Sequence, residues 1–574
     1  MKVSDYIAKF LSEKGVSFVF ELSGGMITHM LDSINRAGAP RIVSVHHEQA
    51  AAFAADAVGR MTGIPGVAMA TSGPGATNLL TGIGSCYFDS SPTVFITGQV
   101  NRSEQKGERQ IRQLGFQETD IVNMARPITK ESVMVQTPDE VPHLLHRAFN
   151  VALSGRPGPV LLDIPMDVQR AEIEVASNES ASPSSYSTEL DEVTWGEFYR
   201  QLKLSTRPLI LAGGGVRSSG ATELLRRFVS KTRIPVVSSL MGVDVLPFSD
   251  PLRIGLIGSY GNRWANLTIG RADLLVVLGS RLDIRQTGSE TAAFKGERTI
   301  FHVDCEPGEV NNRVTGCHAI ISDLRDFLRE AVARVDENQF EERRHWLAEI
   351  AELKQTWTDL KELPDISGIN PNKFMHQLSS VSTEAAAYIV DVGQHQMWAA
   401  QSLEIGAKQR FLTSGGMGSM GFALPAAIGA ALTVEPQPVV VIAGDGGFQS
   451  NIQELQTIVR NRLPIKVIIM NNGCHGMVRQ FQQSYFEGRY QSTLWGYSAP
   501  DFGRVSAAYG ISELTIERES QIEDAMQWLW QYPSEPALLQ VMIDVYTNVY
   551  PKIAFGHPIT EMEPFAIARD MEGT

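Results

Sequence analysis

The sequence predicts an α/β fold of three doubly wound parallel-sheet domains. Short apolar, β-branched runs recur along the chain and alternate with segments of helical periodicity, the pattern of buried parallel strands joined by crossover helices. Glycine-rich or polar residues follow many of these runs, at the strand ends where open α/β sheets bind ligands. The length of 574 residues exceeds what one core serves and suits about three domains of common size.

Composition narrows the class. Hydrophobic residues make up 43% and charged residues 20%, as in soluble globular enzymes. The formal net charge of −14 argues against nucleic acid or an anionic membrane as partner. Cys86, Cys305, Cys317 and Cys474 show neither disulfide nor metal-ligand spacing, which suits a reducing compartment. No run reaches the about 18 apolar residues of a membrane span, and Met1 to Tyr6 holds no apolar signal core, so the expected location is cytoplasmic.

Residues 1–170 are expected to form the first domain. Val3 to Lys14 is an amphipathic helix, Ser17 to Phe20 a strand, and Leu22-Ser-Gly-Gly25 a turn into the next helix. The strand Arg41 to Val45 delivers His46-His47-Glu48 to a strand end, before an Ala-rich helix running to Thr62. The strand Gly66 to Thr71 leads to Ser72-Gly-Pro-Gly-Ala-Thr-Asn78, a small-residue turn at a helix start. Glu48 reads either as a helix-capping acid favoured by the dipole or as a buried functional carboxylate. Asn101 to Gly115 is a mixed charge run holding Arg102, Lys106, Arg109 and Arg112; it is a solvated loop or a phosphate-binding one.

Residues 171–192, rich in Ser, Glu and Asn, form an expected linker. A central domain, 193–335, opens on the apolar run Pro208 to Ala212 with Gly213-Gly-Gly215, a weak dinucleotide signal by itself. Residues 336–363 form a charged helical connection with Trp346, Leu347, Ile350, Leu353 and Trp357 along it. The third domain, 364–550, contains the most informative stretch. Two apolar runs, Pro438 to Ala443 and Ile465 to Met470, end at Gly444-Asp-Gly446 and Asn471-Asn472, with a helix predicted between them over Phe448 to Arg462. Both polar ends alone are also common turn sequences. Their spacing at neighbouring strand ends favours a metal–diphosphate site: Asp445 supplies a hard carboxylate, Asn472 a carbonyl oxygen, and the glycines let backbone N–H groups approach phosphate.

These residues resemble the thiamine diphosphate (ThDP) enzyme family, and Gly444 to Gln456 is similar to its acetolactate (acetohydroxyacid) synthase branch. His47-Glu48-Gln49, Thr71 to Asn78, Ile96 to Gln99 and Phe116-Gln-Glu-Thr-Asp120 resemble the family's pyrimidine-binding blocks. The resemblance implies that Glu48 bonds N1′ of the aminopyrimidine, with Gly25, Phe116 and Gln117 near the reacting centre. It assigns Gln394, His395, Gly446 and Gly447 to the diphosphate, Met477 to the cofactor, a Gly418 carbonyl to the 4′-amino group, and Met420 to a wedge that bends the cofactor. It makes Asp445, Asn472 and the Cys474 carbonyl the Mg²⁺ ligands. In the central domain it implies FAD, held structurally by Gly214, Gly215, Leu240, Met241, Gly258, Gly279, Arg281, Asp304 and Asp323 with Arg156 alongside; a vestigial pocket is the alternative. Arg285, His475, Val478 and Phe481 would meet substrate, although His475 also reads as a surface residue. Residues 551–574 resemble the family's C-terminal tail or lid.

The implied activity is transfer of a two-carbon hydroxyethyl unit from pyruvate, with loss of CO₂, to a second 2-oxo acid, in branched-chain amino acid biosynthesis. The implied assembly is a homodimer or homotetramer with sites at the subunit interface. Four departures from the branch cluster around the acceptor side: Met166 in place of Lys, Ile284 in place of an acid, Phe481 in place of Trp, and the basic loop. They keep open a larger ketone acceptor such as a nucleotide-linked keto sugar. A non-catalytic homologue, an oxidase and a simple decarboxylase are further readings.

Overall fold

The computed structural model describes residues 1–174, 190–336, 340, 343–364 and 366–569. Eighteen strands form three six-stranded sheets in which every pairing is parallel. The first holds β1 (Phe18–Leu22), β2 (Arg41–Ser44), β3 (Gly66–Ala70), β4 (Thr93–Gln99), β5 (Glu131–Met134) and β6 (Pro159–Pro165), in the order β2-β1-β3-β4-β6-β5. The central sheet holds β7 (Pro208–Ala212), β8 (Val236–Ser238), β9 (Arg253–Leu256), β10 (Leu274–Leu278), β11 (Thr299–Asp304) and β12 (His318–Ile321), in the order β12-β11-β10-β7-β8-β9. The third holds β13 (Ala387–Val390), β14 (Arg410–Thr413), β15 (Val439–Gly444), β16 (Ile465–Asn471), β17 (Ser512–Ile516) and β18 (Ala537–Met542), in the order β14-β13-β15-β16-β18-β17. Counted within each sheet, the first and third orders are the same, whereas the central sheet follows the dinucleotide-binding arrangement.

The apolar runs are strands because both sheet faces are covered: β3, β4, β6, β7, β10, β15 and β16 are buried along their whole length. The first and third domains share one continuous core. Helix Glu48–Thr62 lies against helix Ala423–Val434 so closely that a Cβ on Gly429 would sit 2.1 Å from the Ala54 carbonyl oxygen. The alanines of both helices permit that approach, and Phe53 meets Phe422 edge-on at 5.4 Å. The central domain is tied in by Asp244, whose buried carboxylate accepts from Arg217 and from Arg410 of the third domain.

Local expectations need two corrections. The helix predicted over Phe448 to Arg462 is broken: helix Asp445–Ser450 ends at Asn451, and a 3-10 turn Ile452–Glu454 precedes helix Leu455–Asn461. The buried Asn451 side chain donates instead to the Gly421 carbonyl and to Gln49, bonds an uninterrupted helix surface would not direct. In the connection after residue 335, the α-helix among the described residues is Arg344–Thr356, with Trp346, Ile350 and Leu353 buried, and a 3-10 turn Asp359–Lys361 follows it. Most of the expected linker, residues 175–189, lies outside the described residues. The C-terminal segment is fastened down. β19 (Lys552–Ile553) pairs antiparallel with β20 (Met562–Glu563), and Ile553, Ile559 and Met562 enter the central-domain core. Arg263 secures it, bonded to Glu362 at 2.7 Å and to the Met562 and Glu563 carbonyls.

Candidate functional site

Two half-sites and one large cavity gather most of the residues singled out above. The first half-site lies at the ends of β2, β3 and β4. Glu48 is 6% exposed; its Oε2 accepts from Asn78 Nδ2 at 2.9 Å, and Oε1 makes no hydrogen bond among the described residues. A Cβ on Gly75 would come within 3.2 Å of that Oε1, so the glycine leaves the carboxylate open on one side. Gln117 holds the left-handed backbone region, φ 65°, and its side chain abuts Gly73. Beside it Phe116 stands out from the surface, 80% exposed. Gly25 begins the turn Gly25–Ile27, with Met26 N donating to Thr71 Oγ1 of the same strand-end cluster.

The second half-site is the end of the third sheet. Asp445 follows β15 and Asn472 follows the adjacent β16, as the strand-end reading required. Burial pushes the Asp445 carboxyl up to about 6, against the Tyr497 hydroxyl, which donates to its Oδ2 at 2.8 Å. Asn472 is oriented by Gln394: its Nδ2 donates to Gln394 Oε1 at 2.9 Å, while its Oδ1 accepts from Cys474 N. Gln394 also bonds the Thr547 carbonyl, so this residue positions a neighbour as well as facing the site. His395 is buried, burial drives its pKa down to about 3, and its Nε2 has no hydrogen-bond partner among the described residues. That orphaned nitrogen and the Gly444–Gly447 floor form a polar cradle. A Cβ on Gly444 would strike the His395 ring, one on Gly446 the His475 ring and Met420, and one on Gly447 Asp391. His475 thus packs on the Gly446 turn and edge-on against Tyr497, 4.5 Å away, rather than standing alone on the surface. The Cys474 thiol is buried, pushed up to about 11 by desolvation, and points at the Val545 carbonyl. It is therefore held away from thiolate chemistry.

Gly418 takes a left-handed conformation, φ 70°, in the loop between β14 and helix Ala423–Val434. Met420 is 39% exposed and Met477 half-buried beside the third-domain core. Val478, 53% exposed, and Phe481, against Tyr485 and Phe486, lie on helix Gly476–Tyr485. Arg102 of the basic loop is paired to Asp167 and bonded to the Gln136 carbonyl, whereas Arg109 and Arg112 carry no ion pair among the described residues. Arg285 likewise carries none; Asp283 pairs with Arg281.

Where the three domains meet runs a cavity of about 1140 Å³. Arg156, Gly214, Gly215, Leu240, Met241, Gly279, Arg281, Asp304 and Asp323 all line it, with Arg285, Gly418 and Asp89. Gly258 itself lies just behind the wall, between lining residues Ile257 and Ser259, where a Cβ would strike the Arg285 carbonyl at 2.3 Å. Arg156 crosses the rim to Glu306 and Glu309, 3.0 Å each.

Comparison with known proteins decides the family. Residues 1–124, 197–331 and 391–541 match the N-terminal, central and C-terminal domain models of thiamine pyrophosphate enzymes. The chain belongs to the thiamine pyrophosphate enzyme family. It is similar to the acetolactate synthase isozyme 2 large subunit of Escherichia coli (strain K12), 36% identical over 98% of this chain and 99% of that protein. It is also similar to the acetolactate synthase large subunit of Lactococcus lactis, 34% identical over 97% of this chain and 95% of the relative. A third relative, the acetolactate synthase of Arthrospira platensis, is 35% identical over 96% of both chains.

The residues present fit the family's cofactors. No group of three or more His, Cys, Asp or Glu able to cage a metal occurs among the described residues. Asp445 and Asn472 offer a carboxylate and a carbonyl oxygen, a donor set that suits Mg²⁺ completed by phosphate and water oxygens. His395 Nε2 has the missing partner that a diphosphate oxygen would supply, and the cavity is roomy enough for a flavin dinucleotide. Sequence reasoning did not single out Asp89, Asp391 or Tyr497. Asp391 had a local signal, an acid closing the apolar strand β13; it accepts from Gly421 N and Ala423 N and so shapes the loop carrying Gly418. Tyr497 and Asp89 had none, since their partners are remote in sequence.

Proposed function

We propose that this thiamine pyrophosphate enzyme is a carboligase of the acetolactate synthase type, which decarboxylates pyruvate and joins the two-carbon unit to a second 2-oxo acid. The observation that carries this reading is the Asp445–Asn472 pair at adjacent strand ends over a glycine floor, set against a buried Glu48 in a domain of the same topology. Bound ThDP would supply a nucleophilic carbanion and an electron sink; the protein supplies position and protons. Glu48 Oε1 would hold the N1′ proton of the aminopyrimidine, and Asn78 fixes the other carboxylate oxygen. Gln394 holds the Asn472 amide nitrogen, so that the Asn472 carbonyl oxygen would be turned toward the cation. His395 Nε2 would meet a diphosphate oxygen. FAD would serve structurally, since the reaction transfers no net electrons.

The exposed Phe116 beside Gln117 supports assembly in which the first-domain half-site of one chain meets the third-domain half-site of another. No helix among the described residues is long and apolar enough to cross a membrane; we place the enzyme in the cytoplasm.

The test is turnover of purified protein with pyruvate, ThDP and Mg²⁺, following CO₂ and acetolactate together, with and without FAD. One acetolactate per CO₂ is expected. A second reading, a phosphate-bearing ketone acceptor such as a nucleotide-linked keto sugar, is favoured by the exposed Arg109 and Arg112, which carry no ion pair among the described residues. Pyruvate loss with little acetolactate, accelerated by such an acceptor, would replace the first reading with the second.

A further inference from the structure

We propose that Asp89 of the first domain is a positioning residue for ThDP: it fixes the Ser414–Gly418 turn, which is at once part of the aminopyrimidine cradle and a wall of the flavin cavity. The proposal rests on the carboligase reading above and adds to it a residue and a coupling between two cofactor sites.

Asp89 ends helix Leu80–Asp89, and its side chain is 1% exposed. Its Oδ1 accepts from Gly416 N at 2.6 Å and its Oδ2 from Gly415 N at 3.2 Å, across the boundary between the first and third domains. Arg60 donates to the same Oδ2 at 2.9 Å, to Asp56 Oδ2 at 3.1 Å, and to the Thr413 carbonyl at 2.7 Å. Two buried carboxylates thus share one guanidinium, and a buried charge without its full set of donors is costly. The amides of Gly415 and Gly416 supply the further donors to Asp89, so the solvation of this buried carboxylate depends on where the turn sits.

Sterics pin the same turn from both sides. A Cβ on Gly416 would lie 2.8 Å from Phe88 Cβ, and one on Gly415 would lie 2.4 Å from Met241 Sδ, a residue of the cavity wall. The turn is therefore pinched between the first and central domains. At its far end Asp391 accepts from Gly421 N and Ala423 N. Gly418 and Met420 lie between two buried carboxylate anchors, one on their own domain and one on the first. A flavin filling the cavity would meet the turn that Asp89 holds, which would give a redox-idle group a route to the thiamine site.

The test compares wild type with Asp89→Asn, which keeps shape, removes the charge and turns an N–H toward one of the glycine amides. Calorimetric ThDP binding in the presence of Mg²⁺ is expected to weaken by about tenfold to a hundredfold, the range for losing charge-assisted hydrogen bonds. Far-UV circular dichroism should stay unchanged, and excess ThDP should restore part of the turnover. A folded, flavin-containing Asp89→Asn that binds ThDP within twofold of wild type overturns the proposal. Should the variant fail to fold, amide hydrogen exchange on wild type decides: Gly415 and Gly416 must be protected and gain protection when FAD alone is added. Exchange at those two amides indifferent to FAD overturns it as well. A wild type that binds no ThDP would instead sink the carboligase reading and the proposal with it.

Discussion

The hydroxyl of Tyr497 donates to Asp445 Oδ2 at 2.8 Å, while the Tyr497 ring meets His475 edge-on above Gly446. The bond orients the carboxylate proposed to hold Mg²⁺, as an outer-shell partner does. Tyr497→Phe keeps the ring contact and deletes the donor. It is expected to lower Mg²⁺ affinity about tenfold or more in the presence of ThDP. Calorimetric Mg²⁺ titration checks this, and an unchanged affinity would show that Tyr497 contributes packing only.

Glu48→Gln replaces a proton-holding oxygen by an amide in the same volume. Folding and ThDP binding should persist while turnover falls by about 10²- to 10⁴-fold, the usual worth of a positioned acid–base group. Near-normal turnover would remove Glu48 from the reaction.

Phe481 lies half-exposed against Tyr485, 4.8 Å between ring centres, on the helix that follows the metal turn. Phe481→Trp adds aromatic area and an N–H at the proposed acceptor side. The product ratio with pyruvate and 2-oxobutyrate in competition should shift by about tenfold or more, corresponding to about 1–3 kcal/mol. A constant ratio would place acceptor selection elsewhere.

His376 joins the inter-domain connection to the third domain, bonding Asp359 at 2.8 Å and Glu404 at 2.9 Å. Burial works against its charge, but the two carboxylates outweigh burial and hold its pKa above the usual value of 6.5. Because the folded pKa is the higher one, this stabilisation is complete below the unfolded value and is lost as pH rises through the folded value. The melting temperature of wild type should therefore fall more between about pH 6 and pH 9 than that of His376→Gln. Parallel pH profiles would contradict the assignment.

Local chemistry was legible where a signal lies within one strand–turn–helix unit. The runs ending at Asp445 and Asn472 are β15 and β16, buried throughout, and Glu48 follows the strand predicted before it. Periodicity failed at Asn451, where a side chain that looks merely polar in sequence finds two tertiary acceptors and ends the helix.

By itself the amino-acid sequence determined the three α/β units, the strand-end turns at Asp445 and Asn472, the candidate glutamate and the family resemblance. These depend on apolar periodicity and on short motifs whose residues act on neighbours along the chain. Only the tertiary structure decided that the first and third domains share one core, that Gln394 aims Asn472, that Tyr497 caps Asp445, and that Asp89 holds a turn belonging to another domain. Each depends on close approach between segments remote in sequence. Burial there makes every donor and acceptor seek a partner, and only the packed fold selects which one it finds.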